Sequence, residues 1–233
     1  MTFWQHKRGP INKKKVVTSI LLFCVLTYIG LSLVDYDRYT GNKFWTPVPE
    51  CFHSQDHTNR LTKLAHKIHL ILDSMGIEHW LMYGSLWGPL RGIPGPLPWD
   101  HDVDIGMNGD GNFSKIPVDE FKARFEAAGL GVLDELKVRG SFSVLGKNES
   151  LGLFLFYNRR GIMMRSGYEP WVLYIHYRLR HSFPARLVQQ PLPKVRFGSF
   201  NISFPRGGVE IMKHLYPFNW WKVVKPANCK NYF

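Results

Sequence analysis

Acidic residues are missing from the first 34 positions of this 233-residue chain, and cysteine is scarce, with three in all. So few cysteines exclude a fold held together by a disulfide framework. No repeat or low-complexity tract is present, and a hydrophobic content of 45% excludes a disordered tail protein. The length suits one good-sized core and leaves little room for a second. Charge of either sign is also absent from residues 16–34, "VVTSILLFCVLTYIGLSLV". These nineteen residues are about the ~20 that a helix needs to cross a bilayer.

That run predicts an amino-terminal transmembrane helix. Lys7, Arg8, Lys13, Lys14 and Lys15 precede it and Asp35 and Asp37 follow it. The positive-inside bias then keeps residues 1–15 in the cytosol as a tail, in a single-pass type II arrangement. A cleaved signal peptide is the alternative, with small residues at Gly30-Leu31-Ser32, although the run exceeds the usual 7–15-residue signal core. Either reading puts the remainder across the membrane, in the lumen of the endoplasmic reticulum or Golgi. Three glycosylation sequons agree with a lumenal glycoprotein, beginning at Asn112, Asn148 and Asn201. Cys24 lies in the apolar run, while Cys51 and Cys229 share the oxidising side, where they are a candidate disulfide.

The net charge of +12 resembles a nucleic-acid signature until it is divided. Five positive charges belong to the cytosolic flank, leaving +7 from 25 basic and 18 acidic residues. That excess is spread out, and a lumenal site favours a small anionic ligand over nucleic acid.

Residues 35–55 lack apolar periodicity and hold two prolines, which predicts a stem. Residues 56–233 follow as one lumenal domain. Leu61, Leu64, Ile68, Ile71, Leu72 and Met75 recur at helical spacing and predict a helix over 59–74. His66 and His69 on that helix read as a solvated polar face, since no third metal ligand of suitable spacing accompanies them. "HWLMYG" predicts a strand, "PVDEFKARFEAAG" a helix, and "LGVLDELKV", "SFSVLG", "LGLFLFY", "WVLYIHY" and "KVRFGSFNISFP" further strands, before a short helix near 208–215. The pattern is that of an α+β domain.

The most informative stretch is "LPWDHDVDIGM", residues 97–107, where Asp100, Asp102 and Asp104 stand at every second position. In a strand, Val103 and Ile105 enter the core while the acids share the opposite face. Crowded carboxylates form a hard oxygen site for Mg²⁺ or Mn²⁺, which neutralises their repulsion and holds phosphate oxygens. An EF-hand loop is excluded, because its sixth position would be Ile105 and its twelfth Gly111.

The wider motif "YGSLWGPLRGIPGPLPWDHDVDIGM" resembles the signature of the LicD family, which has a nucleotidyltransferase core. The segment "FPARLVQQPLPKVRFGSFNISFPRGGVEIMKHLYPFNWW" is similar to that family's ending. The resemblance implies a nucleotidyltransferase-like mixed sheet with flanking helices. It also implies transfer of a phosphorylated alcohol, of the phosphocholine or ribitol-phosphate type, from a CDP-linked donor to a glycan. Under it Asp102 and Asp104 hold the metal and Arg91 neutralises the leaving group, with Gly84, Ser85 and Asp100 on the substrate side. Gly84 allows close backbone approach to a phosphate, and Ser85 is placed to cap the following helix. Arg91 reads equally as a surface arginine.

The resemblance fails at one point. Families with this core place a third carboxylate on a later strand, yet residues 151–157, "LGLFLFY", contain no acid. Glu149, Glu169, Asp134 and Glu135 lie nearby, but none occupies the expected position. Either Asp100 or a flanking acid supplies the function, or the chain is a catalytically silent homologue that binds a glycan or partner. A lectin-like binder without a nucleotide site is a third reading. Between residues 159 and 196, basic side chains including Arg165, Arg178 and Arg180 alternate with Tyr168, Trp171, Tyr174 and Tyr177. This mixture suits either a phosphate grip or the solvated face of a sheet.

Overall fold

The computed structural model describes residues 13–40, 52–167, 180–217 and 220–222. The chain divides into two units, with the break between residues 45 and 46. The first contains helix α1 (Lys13–Thr40). It begins at the three lysines and continues to Thr40, beyond the boundary at which a stem was expected. Most of its side chains between Lys13 and Gly30 are exposed, Leu21 at 61% and Phe23 at 62%. Among the described residues no helix is long and apolar enough to cross a membrane. The expected span over 16–34 is therefore not borne out there.

The second unit is α+β, as its sequence predicts. Helix α2 (Gln55–Ser74) starts where Ser54 Oγ accepts a hydrogen bond from the His57 N–H at 3.2 Å. It buries Leu61, Leu64, Ala65, Ile68 and Leu72 along one stripe. Strand β1 (His79–Leu81) is followed by a 3-10 turn over Tyr83–Leu86 and the short helix α3 (Trp87–Leu90). Then come β2 (Asp102–Asn108), α4 (Val118–Ala127), β3 (Gly131–Asp134), α5 (Leu136–Arg139), β4 (Ser141–Leu145) and β5 (Ser150–Arg159). The remainder comprises β6 (Ile162–Arg165), β7 (Ser182–Pro184), β8 (Lys194–Phe197), β9 (Phe200–Ser203) and α6 (Val209–Leu215).

Two expectations about these elements change. The strand predicted from "LGVLDELKV" stops at Asp134, whose Oδ1 accepts from the Leu136 N–H at 3.0 Å and turns the chain into α5. The single strand predicted from "KVRFGSFNISFP" is the hairpin β8–β9, reversed at Gly198 with φ +64°. The strand predicted at "WVLYIHY", together with Cys51 and Cys229, lies outside the described residues.

Strands β1, β2, β5, β4 and β3 form the main sheet in that order, and β6 and β7 extend it from the far half of β5. β2 and β5 are parallel, whereas the other pairs are antiparallel. Val103, Ile105, Leu151, Leu153, Phe142 and Val144 are buried on one face. There Phe121 of α4 meets Phe142 with centroids 4.8 Å apart, and Phe113 meets Phe121 at 5.2 Å. The opposite face is covered at one end by Trp80, Phe156 and Phe183, with Phe156–Phe183 centroids at 5.3 Å. At its other end stand the acids.

Candidate active site

β2 alternates as its sequence requires: Val103 and Ile105 are fully buried, and Asp102 and Asp104 face the other way, half-buried. Its backbone is held from the β1 side, where the Met82 N–H donates to the Asp104 carbonyl at 3.0 Å. Ser85 Oγ accepts from the Asp104 N–H at 2.8 Å. Ser85 is buried and does not cap α3, whose N-cap residue is Leu86 without a side-chain cap. The expected capping role is therefore replaced by one of fixing β2. Gly84 beside it has no heavy atom within 4 Å of where a Cβ would stand, so its backbone faces open space.

Asp100 closes a turn, its Oδ2 accepting from the Leu97 N–H at 2.8 Å. Burial and the Asp102 charge push its carboxyl up to about 7, against the pull of Leu97 and Arg91. Asp104 is raised well above the carboxylate range by burial and by Asp102, and Arg165 opposes the shift. Asp102 is more open and lies 3.9 Å from His101 Nε2. Two acids that resist ionisation beside a third form an all-oxygen set that gains from a hard divalent cation. Among the described residues the three carboxylates do not converge closely enough for one ion to be held by all of them.

Arg91 is half-buried, its guanidinium 4.4 Å from the Trp87 ring and its Nη2 donating to the Lys222 carbonyl at 3.1 Å. It lies within electrostatic reach of Asp100. The cation facing Asp104 is a different one, Arg165 of β6. Its guanidinium lies 4.4 Å from the Phe154 ring, and its Nε donates to the Arg139 carbonyl at 2.9 Å. Its Nη1 also meets Tyr83 Oη at 3.3 Å, and His181 Nδ1 lies 3.1 Å from the same hydroxyl. Tyr83 holds φ +47°, a region that non-glycine residues enter rarely and at a cost. The sequence placed Arg165 in a basic segment suited to a phosphate grip or a solvated face, without bringing it to Asp104. It gave no pairing of Tyr83 with His181, which is 98 positions away.

The β5 residues that face the acids are small. In the β2–β5 register Asp102 pairs with Ser150 and Asp104 with Gly152. A Cβ at Gly152 would lie 2.9 Å from Asp104 Oδ1 and 2.6 Å from a Phe154 ring carbon, so any side chain there must displace Asp104 or Phe154. Glu149 points to the helix side, where it is buried and paired with Arg60 of α2. Glu135 is on the acid face: its Oε2 accepts from Ser143 Oγ at 2.9 Å, and Ser143 pairs with Gly152. Ser143 is two strands from Asp104, roughly 10 Å, and Glu135 comes from just past the end of the strand beyond it. Glu169 lies outside the described residues.

A cavity of about 480 Å³ lined by Arg186, Gln189, Arg206 and Glu210 contains none of the three acids. Its arginines are engaged, Arg186 with Glu210 and Arg206 with the Gln189 carbonyl at 3.2 Å. Asn112, Asn148 and Asn201 are all exposed.

Residues 76–207 match the family described as "LicD/FKTN/FKRP, nucleotidyltransferase domain". The human ribitol 5-phosphate transferase FKRP is 29% identical over 188 residues, covering 78% of this chain and 34% of that protein. The mouse protein of the same name is 29% identical over 177 residues, covering 73% and 32%. The chain thus spans about a third of the length of these curated relatives. Among solved structures, the antibiotic-resistance factor ANT(2'')-Ia aligns with a TM-score of 0.43 at 16% identity, covering 64% of this chain and 66% of that one.

Proposed function

The chain belongs to the LicD/FKTN/FKRP nucleotidyltransferase-domain family, and from that premise we propose that it is a metal-dependent transferase. It moves a phosphorylated alcohol, of the ribitol-phosphate or phosphocholine type, from a CDP-linked donor to a glycan. The observation that carries this reading is the open face where Asp102 and Asp104 stand opposite Arg165. When bound by Asp102 and Asp104, Mg²⁺ or Mn²⁺ supplies charge neutralisation at the donor diphosphate. Arg165, held by Phe154, Tyr83 and the Arg139 carbonyl, orients phosphate oxygens on the same face. Gly84 lets donor and backbone approach, and Arg91 is the second cation, on the Asp100 side. The acceptor hydroxyl attacks the phosphorus bearing the alcohol, and the phosphorus–oxygen bond to CMP breaks. CMP leaves with the electron pair, and the hydroxyl proton passes to Asp100, whose carboxyl near 7 suits a group that receives a proton at neutral pH.

The chain is anchored by residues 16–34 in the endoplasmic reticulum or Golgi membrane, with the domain in the lumen. Exposed Asn112, Asn148 and Asn201 then carry glycans, and Cys51 and Cys229 are available to pair. Replacing the three asparagines with Gln should remove glycosidase-sensitive mass from the full-length protein. Unchanged mass would argue against lumenal placement.

One observation favours a second reading. Gly152 occupies the position beside Asp104 where a third acid would stand, as expected of a homologue that binds without turnover. A screen of CDP-linked alcohols with glycan acceptors separates the two. CMP release that requires Mn²⁺ and disappears in Asp104→Asn supports the transferase. Donor-induced thermal stabilisation without CMP release from any pair supports the silent homologue.

A further inference from the structure

On the helix-covered face, across the sheet from the acids, three side chains from two elements meet. His69 and Asp73 lie one turn apart on α2, and His79 opens β1. Each contributes a ligand atom within 4.8 Å of the others. The histidines are buried, at 6% and 3% exposure, whereas the Asp73 side chain is 51% exposed.

The hydrogen bonds fix where the lone pairs point. His79 Nδ1 lies 2.7 Å from the Ile77 carbonyl, which can only accept, so this nitrogen carries the proton. His79 Nε2 therefore presents a lone pair to the cluster, and His69 Nδ1 reaches it at 2.6 Å. If His69 Nδ1 is the donor in that bond, a neutral His69 presents its other lone pair, on Nε2, to Asp73 Oδ2 at 3.4 Å. Asp73 Oδ1 stands 3.9 Å from His79 Nε2. Two imidazole lone pairs and a carboxylate thus face one space, and without a cation two acceptors oppose each other.

We infer that His69, Asp73 and His79 form a metal site for Zn²⁺ or a similar borderline divalent ion, tying the end of α2 to the start of β1. A two-nitrogen, one-carboxylate set suits zinc, whereas the all-oxygen acids of β2 suit Mg²⁺ or Mn²⁺. The His79 Nδ1–H on a backbone carbonyl is the outer contact that orients histidine ligands elsewhere. Entry of the ion takes the His79 Nε2 lone pair from the His69 Nδ1–H, so the 2.6 Å His69–His79 contact opens as both rings turn to the ion. Asp73 provides the path inward and solvent the fourth ligand. Phe200 walls the site, its ring 5.4 Å from His69 by centroids. Lys194 also faces His69, and its positive charge is what the Asp73 carboxylate must offset.

The site lies apart from the transfer chemistry, so its test is independent of that reading. Full-length protein in detergent, dialysed against trace zinc with excess Mg²⁺, should retain about one zinc per chain by elemental analysis. EDTA should lower its melting temperature by roughly 5–10 °C, with recovery on zinc but not Mg²⁺. Asp73→Ala, at a half-exposed position that leaves the core intact, should weaken zinc binding at least tenfold. His66→Ala and the pair Asp102→Asn with Asp104→Asn should retain it. Co²⁺ in the parent should give the visible bands of a four-coordinate ion, and these should disappear in Asp73→Ala. A parent without zinc, a melting temperature indifferent to EDTA, or undiminished zinc in Asp73→Ala overturns the inference and leaves a metal-free His–His–Asp hydrogen-bonded chain.

Discussion

The two faces of the main sheet are made by the same strands, residue by alternate residue, yet they do opposite work. On one, Val103, Ile105, Leu151, Leu153 and Phe142 lie under α2 and α4 with near-zero exposure. On the other, Asp102, Asp104, Gly152 and Ser143 are left at least partly open. Alternation lets one strand hold the fold together and present charge at once, because a side chain's parity alone decides its surroundings. The acids are tolerated because the buried residues between them offset their repulsion.

That division is most severely tested by Phe121→Ala. The lost ring contacts with Phe113, Phe125 and Phe142 should cost about 3–5 kcal/mol in urea melts, with turnover per folded molecule unchanged. Asp104→Asn should do the reverse. CMP release should fall roughly 10²–10³-fold. In metal-free buffer the variant should melt higher than the parent, because it removes a carboxylate whose ionisation the fold opposes. A variant that melts lower and still turns over would mean that the faces do not divide the labour.

The pH dependence carries the same sign. Asp100 is raised from 3.8 to about 7, so the folded chain binds its proton more tightly than the unfolded chain does. Its ionisation therefore costs stability progressively between about pH 4 and 7 and by a constant amount above. In EDTA, the advantage of Asp100→Asn over the parent should grow across that window and then level off. A smaller effect is expected from Gly152→Ala, whose methyl meets Asp104 and Phe154: about 1–3 kcal/mol of stability, with reduced turnover. Smallest is Glu120→Gln, which breaks an exposed pair with Arg124 on the outer side of α4. It should change stability by about 0.5 kcal/mol or less and leave activity alone.

What could be read in advance follows the range of the interactions concerned. The acid row, the buried stripe of α2 and the Phe121–Phe125 face were legible because each rests on spacing within one element. The hairpin at Gly198 was not, because apolar alternation continues on both sides of the turn and imitates one long strand. Nor was the partnership of His69 with His79, since a helix and a strand share no period and the loop between them decides which residues meet. Arg165 was visible as a charge but not as the neighbour of Asp104, because only the pairing of β6 with β5 brings it there. The empty third-acid position was legible as an absence, while the steric reason for it required the register.

The parallel pairing of β2 with β5 joins residues 48 positions apart, Asp104 and Gly152, whereas β3, β4 and β5 pair with near neighbours in sequence. Such a long closure is entropically costly and gains little until the strands on both sides are in place. The anionic face is therefore assembled late in folding, together with the apolar centre of the sheet. No partly folded species containing only β3, β4 and β5 presents Asp102 and Asp104 at their native spacing beside Gly152. A folding chain thus gains its anionic face only when it gains its core, and half-made copies present neither.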